Sequence, residues 1–240
     1  MANNDPEVNP VLWPPANIDV IEASLSTDRL STYMAETSGD KPAALRLYAW
    51  NTAVSGVFYA ALQVLEISMR NSFHRELTIA YGVNWYDELA VGLDNGANSK
   101  IDNAKRQLRQ ERLPVDSPHI IANLSFGFWV SLLGSGGRKG APPNRANYEM
   151  TLWRPALRHA YMNATSLNRR RAHRPVNYLR MLRKRIAHHE PIFNRHLQKD
   201  LDSILEYTRW FCEPTHDWLH SATRIPKILA DKNGCDPVQF

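Results

Sequence analysis

The chain has 240 residues, of which 43% are apolar and 22% charged, enough to build one or two domains around a sizeable core. Two cysteines are too few for a disulfide scaffold of this length, and no uninterrupted apolar run approaches the ~18 to 20 residues of a membrane-spanning helix. The first residues lack the basic and apolar segments of a secretory signal. We therefore expect a cytoplasmic protein with no membrane partner.

The net charge of +5 is distributed unevenly. Residues 150–189 contain ten Lys and Arg and no Asp or Glu, so this segment carries +10 and the other 200 residues carry −5. Clustered cations attract a polyanion to one part of a surface. The alternative is a solvated helix face that happens to be basic.

The predicted elements begin with an extended arm over residues 1–16, which contain four prolines. Asn17 and Ser26 are candidate N-caps of two short helices. Asp40 then caps a long helix over residues 41–80, whose apolar residues recur at steps of three and four and nearly surround it. Such a helix is expected at the centre of a bundle, and Gly82 ends it.

The rest of the chain predicts further helices separated by short connections, at residues 99–112, 119–133, 149–162, 175–189, 197–212 and 215–221. Residues 134–144 are rich in Gly and Pro and predict a mobile loop. No alternating strand pattern is present, so the fold class is all-α, a helical bundle. We assign residues 17–222 to one domain and 223–240 to a tail that is either packed on it or flexible.

Most enzyme signatures are missing. Gly134–Gly137 lacks both a Walker pattern and a preceding strand. Cys212, His216 and His220 recur at steps of four, but Pro214 would disturb a shared helix face, so no metal or other cofactor is expected. No GxSxG elbow occurs.

The segment 182–191 (LRKRIAHHEP) contains the densest group of reactive side chains. RNA cleavage through the 2′-hydroxyl needs one group that moves a proton near neutral pH and one cation that faces the phosphorane charge. Arg183 and His188 supply these two types without a metal. The same spacing recurs at Arg154 and His159, so spacing alone does not choose between the pairs.

The surrounding sequence favours Arg183 and His188. Residues 182–194 (LRKRIAHHEPIFN) resemble the signature of the Abi-like abortive-infection proteins, which belong to the HEPN superfamily of helical ribonucleases with an R-x4-6-H motif. Three upstream blocks are similar to family blocks and occur in the expected order: residues 65–71 (LEISMRN), 81–86 (YGVNWY) and 125–129 (SFGFW). The resemblance covers roughly residues 25–212.

The resemblance implies a HEPN-like bundle and a metal-independent endoribonuclease that acts as a toxin or phage-defence effector. It implies a homodimer, because two Arg–His motifs face each other across a two-fold interface in this superfamily. His188 would be the general acid/base, Arg183 the phosphate contact, and the products a 2′,3′-cyclic phosphate and a 5′-hydroxyl. A cognate antitoxin, either a small RNA or a protein, is also implied.

One departure from the family pattern is Lys184, where the family usually has Asn or another small polar residue. Lysine cannot accept a hydrogen bond, so an orienting contact is lost and catalysis is weakened or abolished while phosphate binding survives. Glu66, Arg70 and Asn71 are candidates for bracing the motif helix, although Glu66 and Arg70 also fit a simple i,i+4 pair. His189 is a further supporting candidate, but as the neighbour of His188 it should point elsewhere.

If the nuclease interpretation holds, RNA backbone contacts are expected from Arg169, Arg170, Arg171, Arg174, Arg180, Arg185 and Arg195. Two rival interpretations remain open. One is an RNA-binding module with little or no catalysis, held in complex with an RNA or protein antitoxin. The other is a protein-interaction bundle whose basic segment meets an acidic partner.

Overall fold

A computed structural model of the chain describes residues 16–233. Over this range it contains ten α-helices: α1 (Ile18–Leu25), α2 (Thr27–Glu36), α3 (Lys41–Tyr81), α4 (Asn95–Gln110), α5 (Ser117–Asn123), α6 (Phe126–Ser131), α7 (Arg169–Ala187), α8 (Leu197–Phe211), α9 (Glu213–Ala222) and α10 (Ile225–Ala230). The only extended pairing in these residues is an isolated bridge between Arg138 and Arg145. The all-α class is confirmed.

Helix α3 is the centre of the molecule. Its 41 residues span about 60 Å at 1.5 Å per residue. Asp40 Oδ1 accepts the Ala43 N–H at 3.0 Å, and Gly82, with φ of +90°, ends the helix. Its buried residues include Phe58, which is completely inaccessible to solvent. The predicted long helix is therefore confirmed to within one residue at its end.

Helices α2, α6, α7, α8 and α10 pack against α3. By length and composition only, α3 is long and apolar enough to cross a membrane. Of its most apolar stretch of 18 residues, 39% is buried inside the protein. The core helix of a soluble protein meets the same criterion. The sequence predicts no membrane-spanning helix, but length and composition alone do not exclude one at α3.

Helix α7 begins six residues before its predicted start, which places Pro175 inside it. The Asn168 side chain caps the helix by accepting the Arg171 N–H at 2.9 Å. Pro175 has no N–H to offer the Arg171 carbonyl. The Tyr207 hydroxyl from α8 donates to the neighbouring Ala172 carbonyl and lies 3.5 Å from the Arg171 carbonyl. Helix α7 therefore contains the proline in its interior, and the predicted start at residue 175 is wrong.

Two other predicted helices are interrupted. The segment 119–133 divides into α5 and α6 at Ser125, whose Oγ accepts the Phe128 N–H at 3.4 Å. The segment 149–162 forms a short π-helix (Glu149–Trp153) and a 3-10 turn. The Gly-rich loop is attached to the start of α4, because the Gly137 N–H donates to Asp94 Oδ2 at 2.7 Å.

The predicted arm, residues 1–16, lies outside the described residues except for its last position. The described part of the predicted tail, residues 223–233, packs on the same core as the rest. Ile225 and Ile228 of α10 are buried, and the Trp50 indole N–H of α3 donates to the Ile228 carbonyl at 2.8 Å. Helix α10 is therefore continuous with the main bundle.

Candidate functional site

Three of the sequence blocks meet around one carboxylate, that of Glu66 on α3. Arg183 of α7 places its Nε 3.7 Å from Glu66 Oε2, an ion pair too long for a hydrogen bond. The Phe126 N–H, in the first turn of α6, interacts with the same carboxylate, and Arg70 adds a positive charge from one turn along α3. Glu66 therefore links α7 to α3 and α6 rather than only pairing within its own helix.

The block around Trp85 joins the same region from the other side. Its indole N–H donates to His74 Nδ1 at 3.0 Å, and its ring packs against Phe128 and Trp129 of the third block. Burial, with the positive charge of Arg70 as the second cause, lowers the pKa of His74. The neutral imidazole is the form that accepts from Trp85.

Burial raises the pKa of Glu66 above its ordinary value, although Arg183, the Phe126 N–H and Arg70 each act to lower it. The carboxylate is thus partly withdrawn from water beside two cations. A groove of about 290 Å³, which we call the arginine groove, opens here between α3 and α7. Its lining residues are Tyr59, Leu62, Gln63, Glu66, Ile67, Arg70 and Arg183.

The end of α7 has a defined backbone turn. The Glu190 N–H donates to the Arg185 carbonyl at 2.8 Å and the His189 N–H donates to the Ile186 carbonyl at 3.0 Å, which is a Schellman motif with His188 as the C-cap. His189 occupies the left-handed position, with φ of +55°, that usually belongs to glycine.

Three remote side chains hold the turn after α7 in place. Arg29 of α2 donates to the His189 carbonyl at 2.7 Å. The buried Asn51 of α3 accepts the Ile192 N–H at 2.8 Å. Lys232, beyond α10, donates to the Phe193 carbonyl at 3.1 Å. The backbone that carries the histidine pair is therefore fixed from three parts of the chain.

The structure does not bring Arg183 and His188 into one cavity within a single chain. They are five residues apart, which is a rotation of about 140° on a helix, and His188 is exposed and absent from the lining of the arginine groove. Lys184 is exposed as well. His189 lines a separate groove beside α3, and Asn71, also exposed, accepts from Arg70 Nε at 3.2 Å.

Some of the predicted RNA contacts have acidic partners inside the protein. Arg169 pairs with Glu149 at 3.0 Å and also donates to the Leu133 carbonyl. Arg195 makes a two-pronged pair with Asp200, and Arg185 lies 3.4 Å from Glu190 without good hydrogen-bond geometry. Arg180 donates to the neutral Asn177. The acidic partners of Arg169, Arg185 and Arg195 reduce the positive charge that is available to a polyanion, whereas the bond to Asn177 does not.

The other predicted RNA contacts on α7 are free of such partners within residues 16–233. Arg170, Arg171 and Arg174 are exposed and make no ion pair there, as is also true of Lys184. The unpaired positive surface is therefore narrower than the +10 segment suggests. The two residues of the competing pair lie in different elements: Arg154 follows the π-helix and pairs with Glu149 at 3.3 Å, whereas His159 belongs to the separate 3-10 turn.

Four residues of the site are missed by the sequence prediction: Arg29, Asn51, Tyr59 and Lys232. Asn51 is a polar residue on the apolar face of α3, a signal that could have been used. Tyr59 belongs to the periodic stripe of α3, but its ring lies under Arg183, 5.6 Å from the guanidinium carbon. Arg29 and Lys232 donate to backbone carbonyls of distant residues, and every residue has such a carbonyl, so no local sequence pattern predicts these contacts.

Comparisons with models of protein families, with curated proteins and with solved structures find no match. The similarity noted from the sequence blocks therefore stays a resemblance. Within residues 16–233, no group of three or more His, Cys, Asp or Glu side chains is arranged to hold a metal ion.

Proposed function

We propose that this protein is a HEPN-like, metal-independent endoribonuclease that acts as a toxin or abortive-infection effector. The observation that carries the proposal is that three of the sequence blocks, which are far apart in the chain, meet around Glu66 and Arg183, and that the fourth packs against one of the three. Blocks that merely stabilise separate helices have no reason to meet at a partly buried ion pair beside a groove.

The proposed reaction assigns the proton transfer to His188 and the phosphate charge to Arg183. The RNA 2′-hydroxyl gives its proton to a His188 imidazole and attacks the adjacent phosphorus. As the bond from phosphorus to the 5′-oxygen breaks, that oxygen takes a proton from a His188 imidazolium. The products are a 2′,3′-cyclic phosphate and a 5′-hydroxyl, with no cofactor consumed. Because the resemblance implies two Arg–His motifs that face each other across a two-fold interface, the proposed site is composite and needs both copies of a homodimer. The separation of the two side chains around the α7 end is compatible with such a site.

The proposal is tested by incubating the purified protein with a mixed RNA pool in EDTA. We expect cyclic-phosphate products from the wild type and a loss of about 10² to 10⁴ in rate for His188→Ala, the range typical of a missing general acid or base. His159→Ala is the matched control, since it removes the histidine of the competing pair, and it should cleave at the wild-type rate. Equal rates for wild type and His188→Ala would refute the assignment.

A second candidate is an RNA-binding module with weak or no catalysis, held by an RNA or protein antitoxin in the cytoplasm. The observation that favours it is the side chain of Arg183, which faces Glu66 and Tyr59, together with Lys184 at the position where the family has a small polar residue. RNA bound without cleavage by either wild type or His188→Ala would select this candidate. A test for copurified RNA or protein would then identify a bound antitoxin.

A further inference from the structure

A second groove lies directly beside the arginine groove. It has a volume of about 510 Å³ and runs between α2, α3 and the end of α7. We call it the tyrosine groove, because Tyr33, Tyr48 and Tyr59 line it, together with Asn51, Ser55 and Gly56. The volume is within the range of small-molecule sites, ~300 to 1,000 Å³.

The two grooves share one residue, Tyr59. Its ring is 43% exposed and faces the Arg183 guanidinium on one side, while it forms a wall of the tyrosine groove on the other. A ligand whose anionic part contacts Arg183 therefore has an adjacent aromatic surface within the length of one nucleotide.

The chemistry of the tyrosine groove is aromatic and polar, with positive charge beside it. Among residues 16–233, none that line it carries a carboxylate. Arg29 lies at the end formed by His189, and Arg183 lies at the end formed by Tyr59. Two cations separated by aromatic rings match a nucleic acid strand, in which phosphates alternate with flat bases.

Two features of the groove have no explanation in the fold alone. The Tyr33 hydroxyl is buried and makes no hydrogen bond of good geometry, although the Asn51 amide lies close to it. Burial raises the pKa of Tyr33 to about 12, so its hydroxyl keeps the proton that it could donate. Gly56 lies inside α3, where glycine is unfavourable, yet a Cβ there would meet nothing within 4 Å.

We infer that the tyrosine groove binds one unpaired base of a single-stranded RNA whose phosphate contacts Arg183. This inference rests on the proposed function and deepens it by naming the substrate as unpaired RNA. The base stacks on Tyr59, and Gly56 keeps the groove open because it carries no side chain. A base inside a duplex does not enter, since it remains stacked and paired.

The test measures binding of the wild-type protein to 2′-fluoro RNA, which has no attacking hydroxyl and is not cleaved. A short single strand is compared with an abasic strand of the same length and charge, and with a duplex of the same sequence. We expect the single strand to bind roughly 5- to 150-fold more tightly than the abasic strand, the range reported for one stacked base. The duplex, whose bases stay stacked and paired, should lack the extra affinity that an unpaired base gives the single strand.

Gly56→Trp fills the groove and should abolish the preference for the single strand over the abasic strand. The electrostatic binding to the RNA phosphates, which weakens with added salt, should remain. Ala80→Trp, an equally exposed position of α3 outside both grooves, is the matched control and should keep the preference. Tyr59→Ala should also lose it and Tyr59→Phe should restore it, which separates stacking from misfolding because Tyr59 is partly exposed.

The outcomes separate this inference from the proposed function. A base preference that is unchanged in both Gly56→Trp and Tyr59→Ala, or no preference in the wild type, overturns the base site even if the protein cleaves RNA. A preference that depends on Gly56 and Tyr59 supports the base site even if the cleavage assay in EDTA is negative, in which case only the nuclease assignment fails.

Discussion

The left-handed turn at the end of α7 leads to a stability prediction for His189→Gly. A residue with a Cβ in the left-handed conformation costs about 1 to 2 kcal/mol, less for histidine than for a branched residue. Glycine removes that cost but adds conformational freedom to the unfolded chain, a loss of about 0.5 to 1 kcal/mol. Subtracting the second range from the first gives a net stabilisation between about 0 and 1.5 kcal/mol.

The assay is urea denaturation followed by circular dichroism, together with a thermal melt, where each kcal/mol moves Tm by about 2 to 4 °C in a chain of this size. The contact from Arg29 is kept, because it is made to the backbone carbonyl of residue 189. If His189 also contributes its side chain to RNA binding, the stabilised variant will bind RNA less tightly than the wild type.

A matched control is present at the end of α4. Arg112 has φ of +57°, and the Leu113 N–H donates to the Leu108 carbonyl at 2.9 Å, so this is a second Schellman motif without glycine. Arg112→Gly should stabilise the protein by a similar amount and leave RNA binding unchanged. A loss of stability in both glycine variants would refute the reasoning, since the same backbone strain is relieved in each.

The ion pair, the buried histidine and the unusual lysine lead to three more predictions. Glu66→Gln removes the carboxylate that faces Arg183, so RNA should bind more tightly in filter-binding titrations. The folded wild type binds a proton at Glu66 more readily than the unfolded chain does, so its free energy of unfolding should rise as the pH falls through the raised pKa of Glu66. This rise should be absent in Glu66→Gln, and identical pH profiles of the two proteins would contradict the direction of the pKa shift. His74 should change the stability in the opposite direction, because its pKa is lowered in the folded state. Its contribution to the free energy of unfolding is present above pH ~6.5 and lost as the pH falls through the native pKa. His74→Gln keeps an acceptor for Trp85 and should remove this loss of stability at low pH. Lys184→Asn should raise the cleavage rate with little change in RNA affinity, and an unchanged rate would show that the residue at this position does not orient the reacting groups.

Sequence patterns are sufficient to predict the central helix and one ion pair of the candidate site. The periodic apolar residues, the Asp40 cap and Gly82 define α3 almost to the residue, because these signals are local. The ion pair between Glu66 and Arg183 agrees with the expectation that Glu66 braces the motif helix. That expectation follows from the position of Glu66 within an apolar helix, where a buried polar group needs a partner.

Contacts between distant segments explain what the sequence did not predict. Helix α7 starts ahead of Pro175 because Ala172 and Val176, on either side of the proline, are buried in the core that the other helices form. The tyrosine groove depends on how α2 and the end of α7 pack against α3, and no pattern within α3 distinguishes Tyr59 from a core aromatic residue. The acidic partners of Arg169 and Arg195 also depend on the folded chain.

The anchoring of the turn after α7 has a consequence for when the protein becomes competent during its synthesis. Arg29 and Asn51 are made before the turn itself, but Lys232, which contacts both the Phe193 carbonyl and the Trp50 ring, is made 39 residues after Phe193. Because a chain emerges from the ribosome with its N-terminal part first, the turn lacks this third anchor until residue 232 has emerged. A shorter nascent chain therefore carries its histidine pair on a backbone that only two of the three side chains hold.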